Sequence, residues 1–143
     1  MLQNRFKKIL VPLDGSINSI RGLNEAISLA RQCGSTLTGI HVLPIFPMNL
    51  VGTSSVYRNY LTKKAIKFME KAKTSAARNG VEFDMKITTS NDTVQKIIDS
   101  AKNNKFDLIV IGSRGQGSPS AKFLGSVANG VLLSSKIPVL IVK

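Results

Sequence analysis

The chain has 143 residues, of which 43% are hydrophobic and 20% charged, with 11 Gly and 5 Pro. Disordered and linker sequences are poorer in aliphatic residues or richer in Pro and Gly, so one folded domain is expected over 1–143, with a short N-terminal extension at 1–5. Twenty Lys and Arg oppose eight Asp and Glu, and the net charge of +12 makes nucleic acid a candidate partner.

Membrane, secreted and disulfide-bonded classes are all disfavoured. The chain has no apolar run of about 18 residues, which a membrane-spanning helix requires. The apolar stretch near the N-terminus is interrupted by Pro12 and Asp14, whereas a signal peptide needs a longer apolar core. Cys33 is the single cysteine, and its apolar helical setting favours a buried, unreactive thiol. We therefore expect a cytoplasmic protein.

The first half of the chain predicts two strand–helix units. Residues 8–13 form a nearly continuous apolar run that ends at turn residues, as in a strand buried on both faces. Apolar residues at helical spacing follow, and Gly34 is the expected C-terminal cap of that helix. Residues 37–43 predict the second strand. The apolar loop at 44–53 has two open interpretations, folding over a bound base or packing beside a second copy of the chain.

The second predicted helix is strongly basic and ends near Gly80. Between Thr53 and Gly80, seven Lys and Arg oppose Glu70, so this segment has a net charge of +6, half of the total. The inner face of the helix is predicted by apolar residues at helical spacing, namely Leu61, Ala65, Phe68, Met69, Ala72 and Ala76.

The second half of the chain continues the same alternation. Residues 81–88 predict a strand near the sheet edge, and Asp92 can cap the helix that follows. Residues 106–111 predict a fourth strand, 126–135 a helix and 138–142 a fifth strand. This order predicts an α/β fold, a single parallel sheet with helices on both faces. Ligands of such sheets bind beyond the carboxyl ends of the strands, so the loops after strands one, two and four are candidates.

The loop after the fourth predicted strand has the features of an anion site. Gly112 and Gly115 are expected to allow a close ligand approach and a positive φ. Gly125-Ser126 begin a helix whose N–H groups and dipole favour an anion, and Arg114 and Lys122 add positive charge. No P-loop motif and no Gly-x-Gly-x-x-Gly after the first strand are present. On these residues alone, a loop that only reverses the chain is an equal alternative.

The spacing Gly112-x2-Gly115-x9-Gly125-Ser126 resembles the nucleotide-binding signature of the universal stress protein family. Residues 9–16, His41-Val42 and 138–142 are also similar to that family, so the resemblance covers nearly the whole chain in order. It implies an open, Rossmann-like five-stranded sheet of order 3-2-1-4-5, as in adenine-nucleotide α-hydrolases. It also implies bound ATP, ADP or AMP, with the choice among them left open.

The resemblance implies a role for each matching residue. Asp14, close after Pro12, would face the ribose or a Mg²⁺ or Mn²⁺ ion on the phosphates, although capping of the first helix is an alternative. Val42 would meet the adenine through its backbone, and a side chain at Gly125 would fill space that the phosphates need. The loop and helix residues implied in nucleotide binding are Gly112, Ser113, Arg114, Gly115, Gln116, Gly125, Ser126 and Val127.

The leading interpretation is an ATP-binding stress-response sensor or regulator. The resemblance also implies a homodimer joined through the last strand, 139–142. No catalytic residue is assigned, because the chain lacks a P-loop lysine and an evident base beside the phosphates, so hydrolysis is expected to be slow at most. His41 has no second His or Cys for a metal site, and Asp107 starts its strand opposite the crevice, so both are expected to be structural.

Two alternatives come from other classes of function. An enzyme of the related adenine-nucleotide α-hydrolase superfamily would need a Ser-Gly-Gly-type motif in the first loop, where this chain has Asp14-Gly15-Ser16-Ile17. Weak, non-specific nucleic-acid binding would use the basic helix. No recognition-helix motif and no interleaved exposed aromatic residues are expected there, and Lys-rich helix faces are most often only solvated.

Overall fold

The computed structural model describes residues 5–45, 53–115 and 123–143. The strands are β1 (Lys8–Pro12), β2 (Thr36–Leu43), β3 (Phe83–Thr89), β4 (Leu108–Gly112) and β5 (Val139–Val142). The helices that alternate with them are α1 (Ile17–Cys33), α2 (Thr53–Arg78), α3 (Thr93–Asn103) and α4 (Ser126–Ser134). The predicted alternation of strands and helices is confirmed.

All five strands lie parallel in one sheet of order β3-β2-β1-β4-β5. The strand order implied by the family resemblance is therefore confirmed, and the reversal of order falls between β1 and β4. β1 is central and fully buried from Ile9 to Val11, as its continuous apolar run predicts. β3 and β5 are the edge strands, which agrees with the rougher alternation of β3.

The helices cover the two faces of the sheet in pairs. On one face, α1 and α2 pack on alternate strand residues such as Ile9 and Val11. On the other face, α3 and α4 pack on Leu10, Ile40 and Ile109. Successive residues of a strand point to opposite faces, so continuous apolar strands are what this two-layered burial requires.

The helix ends have the chemistry that their sequence indicates. Gly34 caps α1 in the left-handed conformation with a φ of 68°, and its N–H donates to the Ala30 carbonyl. Asp92 caps α3, since its carboxylate accepts a hydrogen bond of 3.0 Å from the Gln95 N–H. Cys33 is buried, as expected for an unreactive thiol.

Strands β3 and β4 begin two residues later than predicted, because the residues just before each strand still hydrogen-bond to the end of the preceding helix. The Val81 N–H donates to the Ala76 carbonyl, and the Phe106 N–H donates to the Ala101 carbonyl. Asp107 has the structural role expected of it. Its carboxylate accepts hydrogen bonds of 2.9 and 3.0 Å from the N–H groups of Lys7 and Lys8, which joins the starts of β1 and β4.

Helix α2 is amphipathic in the predicted register. Ala65, Met69, Ala72 and Ala76 are buried, and the Lys and Arg residues counted above are all exposed. None of the described helices combines the length and apolar composition that a bilayer-spanning helix needs.

Met69 and Ile66 provide a matched test of this register. Met69→Ala should destabilise the fold by about 2–5 kcal/mol, because it leaves a cavity beneath a fully buried side chain. Ile66→Ala, one turn earlier on the exposed side, should change stability by less than about 0.5 kcal/mol. Urea unfolding followed by circular dichroism measures both, and equal losses would show that the register is wrong.

Candidate nucleotide site

A cavity of about 300 Å³ opens at the carboxyl ends of β1, β2 and β4, where the strand order reverses. Helices α3 and α4 contribute their first turns to its walls. The lining residues are Pro12, Leu13, Asp14, Ser19, Ile40, His41, Val42, Thr93, Ile97, Ile111, Gly112, Arg114, Gly115, Gly125, Ser126, Val127 and Ala128.

The turn between β1 and α1 holds Asp14 at the cavity. One carboxylate oxygen, Oδ1, accepts a hydrogen bond of 2.8 Å from the Ser16 N–H, and Gly15 supplies the positive φ of 81° that the turn needs. Ser16 is the residue that caps α1, since its side chain accepts a hydrogen bond from the Ser19 N–H. The alternative role of Asp14 as the helix cap is therefore wrong. Its carboxylate orders the turn instead.

Gly112 and Gly115 serve close packing rather than an unusual backbone conformation. The described glycines with positive φ are Gly15, Gly34 and Gly80, so the expectation of positive φ in the loop at 112–115 is wrong. A Cβ at Gly112 would lie 2.4 Å from the Asn18 carbonyl oxygen in the first turn of α1. A Cβ at Gly115 would lie 2.6 Å from Asp14 Oδ2. The two glycines thus let the loop lie directly against the β1–α1 turn.

Gly125 joins the same loop to the start of α4. Its N–H donates a hydrogen bond of 2.8 Å to the Ser113 carbonyl, and a Cβ there would lie 3.2 Å from Arg114 Cα. A side chain at this position would contact loop backbone, and because Gly125 lines the cavity, the expectation that it would fill phosphate space stays a prediction. The first intrahelical hydrogen bond of α4 runs from the Asn129 N–H to the Gly125 carbonyl. The N–H groups of residues 126–128 precede it, at the end of the helix that favours anions.

His41 is fixed at the rim of the cavity. Its Nδ1 lies 2.7 Å from the Leu13 carbonyl oxygen, and because that oxygen only accepts, Nδ1 is the protonated ring nitrogen. The ring also packs edge-on against Phe68 of α2, with centroids 4.9 Å apart and an interplanar angle of 89°. These contacts agree with the structural role expected for His41.

Most of the predicted site residues line this one cavity. The exceptions are Ser113, which is buried with its N–H bonded to the Val142 carbonyl, and Gln116 and Lys122, which lie outside the described residues. The loop at 44–53 also falls largely outside them, so neither of its interpretations is tested.

The structure adds several lining residues that the sequence did not single out. Ile40, Ile97 and Ile111 form apolar wall, and Thr93 is the first residue of α3. Their apolar character was visible in the sequence, but which end of each strand or helix faces the cavity was not. The described residues hold no cluster of three or more His, Cys, Asp or Glu side chains suited to a metal ion.

The family model of the universal stress proteins matches residues 5–143. The chain belongs to this family. The universal stress protein YxiE of Bacillus subtilis is 34% identical over 148 aligned positions, covering 96% of this chain and 99% of YxiE. The solved structure of UspA from Lactobacillus plantarum superposes with a TM-score of 0.89 at 24% identity, covering 97% and 99% of the two chains. The resemblance and the fold class inferred from the sequence are thus confirmed.

Two further solved structures of universal stress proteins are nucleotide complexes. One, in complex with cAMP, has a TM-score of 0.78 and 23% identity, covering 98% of this chain and 99% of its own. The other, from Archaeoglobus fulgidus in complex with dAMP, has a TM-score of 0.71 and 23% identity, covering 97% and 99%. At these identities the likeness shows the shared fold.

Two glycine substitutions test the packing of the loop against the β1–α1 turn. Gly112→Ala should destabilise the fold by about 1–3 kcal/mol, because its Cβ would meet backbone atoms of α1 that cannot move separately. Gly115→Ala should cost less, because its Cβ meets the end of one side chain, Asp14. Thermal unfolding of both variants gives the order, and a greater loss for Gly115→Ala would contradict it.

Proposed function

We propose that this universal stress protein binds an adenine nucleotide, ATP in the first place, in the cavity, and acts as a cytoplasmic stress-response sensor or regulator. One observation supports this most strongly. The loop at 112–115 and the start of α4 are joined by the hydrogen bond from Gly125 to Ser113, and both face the cavity beside Asp14. Helix-terminal N–H groups and a glycine loop at one point are suited to phosphate. Two structural neighbours are in complex with cAMP and dAMP, which agrees with this ligand class.

The remaining walls suit the base and the sugar. Ile40, Val42, Ile97 and Ile111 give one part of the cavity an apolar surface on which a purine would pack. Asp14 also lines the cavity, and we place the ribose or the first phosphate beside it. Arg114 lines the same cavity and would add positive charge toward the phosphates.

Asp14 is also the residue that would hold a divalent ion. Mg²⁺ commonly takes one or two protein carboxylates and completes its shell with phosphate oxygens and water, so a single lining carboxylate fits this ion. When bound, the ion would neutralise phosphate charge. Asp14 would hold the ion through its carboxylate while it keeps the Oδ1 contact with the Ser16 N–H.

A regulator is favoured over an efficient enzyme by the side chains on the cavity wall. Among the described lining residues, Asp14 and His41 are the natural proton acceptors. Both already have structural contacts, Asp14 with the Ser16 N–H and His41 through Nδ1 with the Leu13 carbonyl. We therefore propose that any hydrolysis is slow and that binding itself is the functional event.

Calorimetric titration with MgATP tests the binding proposal. Gly115→Val should abolish measurable binding, because its side chain displaces Asp14 Oδ2 and intrudes on the loop that faces the phosphates. Asp14→Ala should weaken binding by about tenfold, the effect of one charge-assisted contact, because the backbone N–H groups of α4 remain.

The control is Gly34→Ala at the opposite end of α1. That position has open space for a Cβ, so the substitution strains only its own φ and should leave MgATP affinity unchanged. Circular dichroism confirms folding of each variant. Wild-type affinity in a folded Gly115→Val variant would show that the nucleotide is not bound at this loop.

We further propose that two copies associate through β5. This strand is at the sheet edge, and edge strands with apolar side chains usually need a cover. Leu140 on β5 is 41% exposed, and Leu132 and Leu133 of the neighbouring α4 are exposed as well. An apolar surface of this kind beside an unpaired strand edge is suited to a second copy of the same chain.

Sedimentation velocity tests the dimer. The wild type should sediment at twice the chain mass, and Leu140→Lys should shift it to the monomer by placing a charge in the apolar contact. Ile66→Lys, which replaces a similarly exposed apolar residue on α2, should leave the dimer intact. A monomeric wild type at micromolar concentration would refute the proposal.

A further inference from the structure

Helix α2 has an outward row of side chains that the nucleotide proposal does not use. Tyr57, Tyr60, Lys64, Lys67 and Lys71 recur at intervals of three or four residues, so they share one side of the helix, and all five are exposed. We call these five residues the α2 row. It extends over about 21 Å of helix at 1.5 Å per residue.

The α2 row lies on the most basic element of the chain. The segment 53–80 contributes +6 of the total +12, and Glu70 is its single acidic residue. Glu70 borders the row at Lys67, three residues earlier and about 60° around the helix, and lies about 100° from Lys71. Lys64 and Lys71 have no acidic residue of α2 three or four positions away, so two of the three lysines lack such a neighbour on the helix.

The two tyrosines of the row are exposed aromatic groups beside this charge. Tyr57 is 52% exposed and Tyr60 58%, and their rings stack with centroids 6.4 Å apart at 19°. Exposed aromatic residues therefore accompany the basic helix, at one end of the row rather than interleaved with its lysines. They are also the only two tyrosines in the chain, which has no tryptophan.

We propose that the α2 row binds single-stranded nucleic acid without sequence preference. Lysines along one line can neutralise successive phosphates, and tyrosine rings at one end can stack on unpaired bases. Positive charge alone would attract any polyanion. Positive charge together with exposed aromatic rings is the combination that binds single strands. This surface lies outside the nucleotide cavity, so it stands or fails independently of the proposed nucleotide binding.

An anionic membrane fits the α2 row less well. A helix that lies on a bilayer inserts a continuous apolar side, but Ala65, Met69 and Ala72 of α2 are already buried against the sheet. The side that remains combines lysines with two tyrosine rings. A duplex would satisfy the lysines but leave the rings without unpaired bases, so a single strand is the favoured ligand.

Fluorine NMR of the full chain labelled with 3-fluorotyrosine tests the stacking directly. The spectrum contains signals from only Tyr57 and Tyr60, because the chain has no other tyrosine. Addition of an oligo(U) strand of about 12 nucleotides should shift both signals, while the same strand in a duplex should shift them much less. Tyr57→Phe and Tyr60→Phe assign the two signals.

Fluorescence anisotropy of the labelled strand measures the contribution of each part of the row. Replacing the row lysines by glutamine should weaken binding at least about tenfold and reduce the salt slope of log Kd by about 2, as for three lost phosphate contacts. The matched control removes the same charge at exposed lysines elsewhere and should weaken binding less than about twofold, with the slope unchanged. The row variant is Lys64→Gln, Lys67→Gln, Lys71→Gln, and the control is Lys7→Gln, Lys102→Gln, Lys136→Gln.

Tyrosine substitutions separate stacking from charge. Tyr57→Ala with Tyr60→Ala should weaken binding about fivefold or more, whereas the double phenylalanine variant should bind as the wild type does. Unchanged affinity for MgATP or an unchanged unfolding midpoint shows that each variant is folded.

Several results would overturn the proposal. These are no binding by the wild type at low salt, equal losses in the row and control lysine variants, or unchanged affinity after removal of both tyrosine rings. Tighter binding to the duplex would also refute it. Sedimentation with vesicles of phosphatidylglycerol and phosphatidylcholine is the last comparison, and row-dependent vesicle binding without oligonucleotide binding would replace the nucleic-acid proposal with a membrane one.

Discussion

The close approach of α1 to the end of β4 is the constraint on which the rest of the site depends. A Cβ at Gly22 would lie 3.1 Å from the Gly112 nitrogen, and one at Gly112 would lie 2.4 Å from the Asn18 carbonyl oxygen. Glycine at both positions therefore lets two backbones pack at a distance that side chains would prevent. This contact sets the first turn of α1, and with it the Asp14 turn against which the loop at 112–115 rests. The start of α4 is then held to that loop by the Gly125–Ser113 hydrogen bond.

Phe68 extends this arrangement from the cavity to helix α2. Its ring lies 2.9 Å from the position of a Cβ at Gly15, which only a glycine leaves open, and it meets the edge of His41. His41 in turn is bonded to the Leu13 carbonyl just before Asp14. Helix α2 is thus packed against the turn that contains Asp14, the residue proposed to contact the nucleotide. Its outer side, with the α2 row, is free of that packing. One helix therefore contributes its inner side to the site and its outer side to a separate surface.

Local patterns predicted the elements well, and long-range contacts account for what they missed. The apolar run of β1, the cap at Gly34 and the cap at Asp92 each depend on a few neighbouring residues. The strand order came from the family resemblance, since periodicity alone does not order parallel strands. Glycine is needed at position 112 because the backbone of Asn18 lies close to it, and Asn18 is distant in the sequence. The glycine spacing alone therefore could not distinguish close packing from a positive φ. The direction of a side chain at Gly125 depends in the same way on the loop at 112–115.

The exposure of Arg58 shows a different limit of periodicity. Arg58, Ala65 and Ala72 occupy the same side of α2, yet Arg58 is exposed while both alanines are buried. A 26-residue helix is about 39 Å long, whereas the eight-residue strand β2 spans about 26 Å, so part of the helix extends beyond the sheet. The amino-terminal turn with Arg58 therefore lacks the burial that both alanines have, whereas Tyr57 and Tyr60 are exposed because they share the outward side of the lysine row. The positive charge of the chain is also distributed unevenly between the nucleotide cavity and helix α2. Short-range contacts with N–H groups at α4 need little net charge, and the cavity draws on α3 and α4, on the opposite sheet face from α2. The +6 on α2 is therefore not required by the nucleotide site, and the two surfaces should respond differently to salt, because screening weakens the row of separated lysines more than close contacts in a cavity.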